Sequence, residues 1–234
     1  MARALPAGAD DGRVAGKLTN ERVACRPIEQ RELVRPEFCA GCHDQHGTVQ
    51  QWRASRFAAP GPGYKDCLDC HMPQRPGGGR DHTMHAAHDP ELIRTAVVMR
   101  AERVETGWRI DVENVGAGHN FPTDERSRAA DLMWRPVSEE KWRQLYRFRN
   151  PYRYEVGLPN TELAAGATAS VVLEQSEVPA GSDGAPQKVE VVLFYKLSPI
   201  FVDPLYDLSP YYADFKAPER REDAVPIHRL ILEP

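Results

Sequence analysis

The 234-residue chain lacks several features that would each have pointed elsewhere. No apolar run approaches the roughly 18 residues that a membrane span needs, so no crossing helix is expected and the chain reads as soluble by itself. Its start, Met1 to Asp11, contains no apolar stretch of the kind an export signal carries. Lys and Arg form no dense cluster and the formal net charge is -4, which gives no case for nucleic acid, whose binders concentrate basic charge. Cysteine is scarce too, at five residues. What remains is ordinary: 41% hydrophobic and 27% charged residues, in a chain long enough to bury one sizeable core or two modest ones.

The few cysteines carry the strongest signal. Four of the five fall in Cys39-Ala-Gly-Cys42-His43 and Cys67-Leu-Asp-Cys70-His71. Each copy reads as a c-type haem attachment signature. Two thiols separated by two residues meet the two vinyl groups of a porphyrin as thioethers, and the His that follows falls under the ring, where its imidazole binds iron. The expectation is two covalently bound haem c groups, held by Cys39, Cys42, Cys67 and Cys70, with His43 and His71 as proximal iron ligands. A four-thiolate zinc site is the competing reading. It does not require a His after both pairs, and a pair of disulfides explains the histidines even less. Cys25 is left over, either as a stray thiol or as the remnant of a motif or a tether to another chain. Covalent haem attachment is expected outside the cytoplasm, in the periplasm or beyond the cell, so the absent export signal points to a mature or truncated form, or a piece of a larger polypeptide.

Along the chain, residues 1–20 are Ala-, Gly- and Asp-rich without periodicity and read as a mobile lead-in. A short helix is expected from Ile28 to Phe38, closed or reset by Pro36, and another from Thr48 to Ala59, stopped by Pro60-Gly61-Pro62-Gly63. The second would lay Trp52 or Phe57 on a porphyrin, with core packing as the alternative. Met72 to Arg80 is turn and loop chemistry, and Asp89-Pro90-Glu91 starts a helix that runs to about Arg94. Beyond residue 95 the pattern changes to alternation. Glu105-Thr106-Gly107 is the turn of a hairpin whose strands are Ala96 to Val104 and the stretch through Trp108, Ile110 and Val112. Ala130, Leu132 and Trp134 alternate, as do Val189, Val191, Leu193, Tyr195 and Leu197, and Thr168 to Leu173 and Ile227 to Leu232 are further strands. The fold class expected is α+β and mainly β: a loop-rich, partly helical dihaem region over residues 21–94, then an antiparallel β-sandwich over residues 95–234.

The sixth position on each iron needs a ligand from the opposite ring face. His46 lies too soon after His43 to serve the same iron, although it could reach the neighbouring haem. In the cluster Asp81-His82-Thr83-Met84-His85-Ala86-Ala87-His88, His82 ranks first because it follows a flexible loop. His88 ranks second, with Asp89 able to orient its other nitrogen, and His85 third. Met72 and Met84 are thioether alternatives that would raise the potential, or simple packing. His119 lies in the loop Gly116-Ala117-Gly118-His119-Asn120-Phe121-Pro122, where the glycines let the backbone approach a flat partner closely; from spacing alone it is equally a turn histidine.

Taken together, Phe38 to His43, Trp52-Arg-Ala-Ser55, Asp66 to Pro73, Asp81-His82 and His88-Asp-Pro90 resemble the multihaem c-type cytochromes of bacteria. The stretch Asn114-Val-Gly-Ala-Gly-His-Asn-Phe-Pro-Thr123 is similar to a Gly-Ala-Gly-His-x-x-Pro-Thr-Gly element downstream of such motifs. The resemblance implies electron transfer by low-spin haems, with His82 and His119 as distal ligands and His88 as a further candidate. The chain departs from it in having Asp124 where Gly is usual, Phe57 where a His often follows the Trp-x-x-Ser segment, and two haem motifs where the reductases of this kind assemble more. The expected function is therefore that of an electron carrier working with redox partner proteins, including other cytochromes, without nucleic acid. The alternatives are a small reductase or peroxidase with one open iron, and a structural subunit of a larger cytochrome assembly.

Overall fold

The computed structural model of the chain describes residues 13–16, 26–29, 35–44, 47–83, 85–123, 128–151, 157–182, 184–196 and 224–234, the first two stretches as backbone alone. Cys25, His46, Met84 and Asp124 lie outside the described residues, as does Leu197. The chain divides into two compact units, Met1–Met84 and His85–Pro234.

In the first unit, strands β1 (Arg13–Gly16) and β2 (Arg26–Glu29) pair in parallel, so the expected lead-in contains a strand. The helix expected from Ile28 is corrected: Ile28 belongs to β2, and helix α1 (Pro36–His43) begins at Pro36 instead of ending there. A proline has no N–H to offer, which costs nothing in a first helical turn, and its fixed φ suits that position. Helix α2 (Thr48–Ala54) stops at Ala54, short of the expected Ala59. Ser55 ends it, because its hydroxyl donates to the Trp52 carbonyl at 2.7 Å and accepts the Phe57 amide at 3.2 Å, turning the chain into a short 3-10 segment, Arg56–Ala58. Helix α3 (Cys67–His71) carries the second motif.

The second unit opens with helix α4 (Pro90–Ala96), capped as its sequence indicates: one oxygen of Asp89 accepts the amides of Glu91 at 3.0 Å and Leu92 at 3.2 Å. The helix runs directly into β3 (Val97–Val104), which forms the expected hairpin with β4 (Gly107–Asn114) across Glu105-Thr106. Gly107 is needed there, since a Cβ on it would lie 2.1 Å from the Leu173 carbonyl oxygen of the next strand. That strand, β7 (Thr168–Glu174), completes an antiparallel sheet in the order β3-β4-β7. A second antiparallel sheet takes the order β6-β5-β8-β9, from β5 (Ala129–Pro136), β6 (Arg143–Phe148), β8 (Val189–Lys196) and β9 (Ala224–Leu232). The mainly β, loop-rich class is therefore as expected.

Both sheets feed one apolar core. Trp108, Ile110 and Val112 of β4 meet Ala130, Leu132 and Trp134 of β5 and Val189, Val191, Leu193 and Tyr195 of β8, the alternating positions of the sequence. The other face of the four-stranded sheet is buried as well, but it holds charge. Asp131 takes a double hydrogen bond from Arg147, at 2.6 and 2.8 Å, and Glu190 accepts from Arg135 and Arg229, each at 2.7 Å. Buried carboxylates persist only when paired and hydrogen-bonded in this way. This pairing accounts for β6, a strand the alternation did not indicate: its Arg147 is a buried partner of Asp131, although it reads as solvated in the sequence.

Candidate haem-attachment site

Helical geometry makes the two motifs usable. On α1, Cys39 and Cys42 are three residues apart and His43 is four from Cys39, so all three project from one side of the helix; Cys67, Cys70 and His71 repeat this on α3. Cys42 and His43 are exposed, and the other four groups are half-buried. Asp66 caps α3 by accepting the amides of Leu68 at 2.9 Å and Asp69 at 3.1 Å, and Asp69 returns the contact by accepting the Asp66 amide at 3.0 Å. This reciprocal box is legible in Asp66-Cys-Leu-Asp69, one carboxylate before the helix and another three residues on. The remaining oxygen of Asp69 binds Arg80 at 3.0 Å, and Arg80 also donates to the Met72 carbonyl at 3.0 Å, which fastens the loop after the motif onto the end of α3.

The two helices are held by α2. Arg53 pairs with Glu37 of α1 at 2.8 Å, and the Trp52 indole N–H donates to the Lys65 carbonyl at 2.8 Å, directly before the Asp66 cap of α3. The Trp52 ring also meets Tyr64 edge-on, with centroids 6.1 Å apart. Trp52 is thereby a bracket, a role its sequence position does not disclose. The consequence is that the leading thiols of the two motifs, Cys39 and Cys67, lie near enough to perturb each other. Their interaction lowers the Cys39 thiol to about 7 and, together with burial, pushes the Cys67 thiol up, while burial raises Cys70.

The residues fit porphyrins better than a bare ion. Among the described residues no group of three or more His, Cys, Asp or Glu side chains is arranged to hold a metal ion, so the four thiols do not make the closed set that zinc requires. The unit also lacks a core of its own: of its described residues only Pro36, Val49 and Ser55 are buried, and Phe38 and Tyr64 stand 51% and 41% exposed.

The candidate distal ligands fall in both units. In the first, an antiparallel bridge between Gln74 and Arg80 and a 2.8 Å bond from the Asp81 amide to the Pro73 carbonyl fold the loop back, and His82 emerges exposed beside the end of α3. His85, His88 and His119 belong to the second. The expected Asp89–His88 contact is corrected: Asp89 binds Nδ1 of His85, and His88 is exposed. The cause is the cap, because the Asp89 oxygen that does not serve the α4 amides faces back across the turn closed by the Asp89 amide and Ala86 carbonyl, at 2.9 Å. The His85 bond holds the Asp89 carboxyl below its usual range. His119 bonds through Nδ1 to the Asn120 carbonyl at 2.9 Å, which places the proton on Nδ1. Gly116 packs against backbone, since a Cβ there would lie 1.9 Å from the Thr95 carbonyl oxygen. Asn114, which sequence reasoning passed over, is buried at the base of this loop.

The fold is similar to that of a multihaem c-type cytochrome, and the motifs from Phe38 to Thr123 lie partly within the stretch that matches a cytochrome c family. Residues 28–106 match the NapC/NirT cytochrome c family, N-terminal region, and a cytochrome c family implies covalently bound haem c. A penta-haem cytochrome c552 from Thermochromatium tepidum has a similar fold, with a TM-score of 0.60 at 19% identity over 89% of this chain. The chain spans 58% of the length of that cytochrome. A superoxide reductase in its oxidised state and a candidate superoxide reductase from Thermotoga maritima overlap weakly, with TM-scores of 0.27 and 0.22, identities of 14% and 13%, and coverage of 59% and 44% of this chain and 88% and 76% of theirs. No curated protein matches the chain.

Proposed function

We propose that the chain is a dihaem c-type electron-transfer protein of the periplasm or cell exterior. Cys39 and Cys42 hold one haem and Cys67 and Cys70 the other, with His43 and His71 as proximal ligands and with distal ligands drawn from His82, His119 and His88. The contact between Cys39 and Cys67 carries this reading. It sets the thioether edges of the two attachment sites side by side, so electrons pass between groups held close without a substrate having to bind. Haem supplies the redox chemistry; the chain's own work is to seat each group and, at His119, to fix the ring tautomer through its Nδ1 bond. The two-sheet unit, read as a β-sandwich, then serves as support and as a surface for redox partner proteins, other cytochromes among them.

Intact mass combined with a pyridine haemochrome assay tests the reading. Two thioether-linked haems, both low-spin and inert to carbon monoxide, are expected. One haem, or one iron that takes up carbon monoxide, would replace the electron carrier with an enzyme that keeps an open coordination position.

A further inference from the structure

His82 follows a small hairpin that is closed and fastened within the first unit. Gln74 and Arg80 form its bridge, and the Asp81 amide donates to the Pro73 carbonyl at 2.8 Å. An Asp81 carboxylate oxygen then accepts the Thr83 amide at 2.9 Å, so the backbone is held on either side of His82 while that residue is exposed. Arg80 fixes the hairpin to α3. One arm of its guanidinium donates to an Asp69 oxygen at 3.0 Å and the other to the Met72 carbonyl at 3.0 Å. The second Asp69 oxygen accepts the Asp66 amide at 3.0 Å, so a single carboxylate joins the cap of the attachment helix to the loop that leads to His82. With side chains 18% and 34% exposed, the Arg80–Asp69 pair is the most shielded ion pair of this unit among the described residues.

We propose that Arg80 is a positioning residue for iron ligation by His82, acting through Asp69. This rests on the reading of His82 as a distal ligand, and it needs only groups of the first unit. Asp69 stands between the two thiols of Cys67-Leu-Asp-Cys70, so the tie starts inside the attachment motif itself. Gly41, which takes the same place in the first motif, has no side chain to make it. The geometry selects Arg. A planar guanidinium reaches a carboxylate and a carbonyl at once, whereas the Lys ammonium is a point charge on a flexible stem. A ligand on a loose loop must be ordered each time the iron bond forms. The tie therefore acts on how long that bond lasts and not on which residue makes it.

The test uses the reduced holoprotein. Haem content is followed by intact mass, and iron opening by spin state and by carbon monoxide uptake at each haem, carried to long times so that rare opening of a six-coordinate iron registers. His82→Ala should leave one haem high-spin and quick to take up carbon monoxide. Arg80→Ala should keep both haems attached and speed uptake at that same haem about five-fold over the parent, equivalent to about 1 kcal/mol. Arg80→Lys serves one acceptor at a time, and Asp69→Asn removes the charge but still accepts the Asp66 amide; both should move the rate in the same direction by less. Unchanged rates in an Arg80→Ala protein carrying both haems would overturn the proposal. So would an equal rise at both haems, the mark of general loosening. If Arg80→Ala takes up no haem, unchanged rates in Arg80→Lys and Asp69→Asn would overturn it. If His82→Ala leaves both irons low-spin, the reading of His82 has failed first, and that outcome is separate because it needs no change at Arg80.

Discussion

Gly116→Ala is the sharpest test of how the His119 loop is built. Gly116 and Val115 both donate to the Ala96 carbonyl, at 2.9 and 3.1 Å, which pins the end of β4 to the junction between α4 and β3. A methyl group on Gly116 would lie 1.9 Å from the Thr95 carbonyl oxygen, 2.8 Å from its carbon and 3.2 Å from the Ala96 Cα. All three neighbours are backbone atoms, so no rotamer relieves the clash. The loop must withdraw by about 1.5 Å to reach ordinary contact, and both bonds to Ala96 then lengthen beyond use. Two backbone bonds at about 1 kcal/mol each and overpacking of about 1 to 3 kcal/mol give a loss of about 3 to 5 kcal/mol. With a urea slope of about 2 kcal/mol per molar, the far-UV transition of the second unit should move down by about 1.5 M or more. If His119 ligates a haem as proposed, that haem should gain high-spin character at the same time, because the displaced stretch leads to His119. Gly63→Ala is the control: nothing lies within 4 Å of a Cβ there and its φ is not positive, so it should be silent. A midpoint for Gly116→Ala within about 0.2 M of the parent would refute the argument, since it would mean that the junction moves aside freely.

In the haem-free chain Cys39, lowered to about 7, should alkylate with a midpoint near neutrality, while Cys67 and Cys70, both raised, lag behind; equal rates at these three would show that the thiols do not meet. Single replacements of His82, His85 and His88 by Ala should separate ligand from clasp: an iron ligand leaves a five-coordinate haem, whereas His85→Ala, which loses the bond to Asp89, should leave both irons low-spin. Haem-free protein should be cut by protease within residues 35–83 while the two-sheet unit survives; equal resistance of the two forms would refute a role for porphyrin as the core of the first unit.

Much of the site was legible before any coordinates. The C-x-x-C-H spacing is a local property, set by the helix repeat, and so are the Asp89 cap and the Glu105-Thr106 turn. Alternation at Trp108, Ile110 and Val112, or at Val189, Val191 and Leu193, reports a strand because one face meets a common core. Where the structure differs from expectation, a competing bond or a distant partner decides the outcome. Pro36 opens a helix instead of closing one, because residues before it are drawn into pairing with Arg13–Gly16. Asp89 turns to His85, not His88, because its other oxygen is committed to the α4 amides. Asn114 was unremarked since nothing in the order of residues says that an amide at a strand end will be buried against Leu163, far along the chain.

The two units divide the work by the way they are held. In the second, Ile110, Val112, Leu132, Val189 and Leu193 are wholly buried, and apolar burial of that kind holds a scaffold whether or not a cofactor is bound. In the first, what positions the thiols is polar and partly exposed: Glu37 with Arg53, Trp52 with the Lys65 carbonyl, Asp69 with Arg80. Exposed pairs of this kind contribute little stability each, about 0 to 1 kcal/mol, but they fix direction, and direction is what two vinyl groups and two thiols require in order to react. Under the dihaem reading, thioether formation would add the rigidity that these ties do not supply, and would couple maturation of the cofactor sites to folding of the chain around them. The His119 loop is held in the other way: Gly116 and Asn114 anchor it to a framework that stands on its own apolar core.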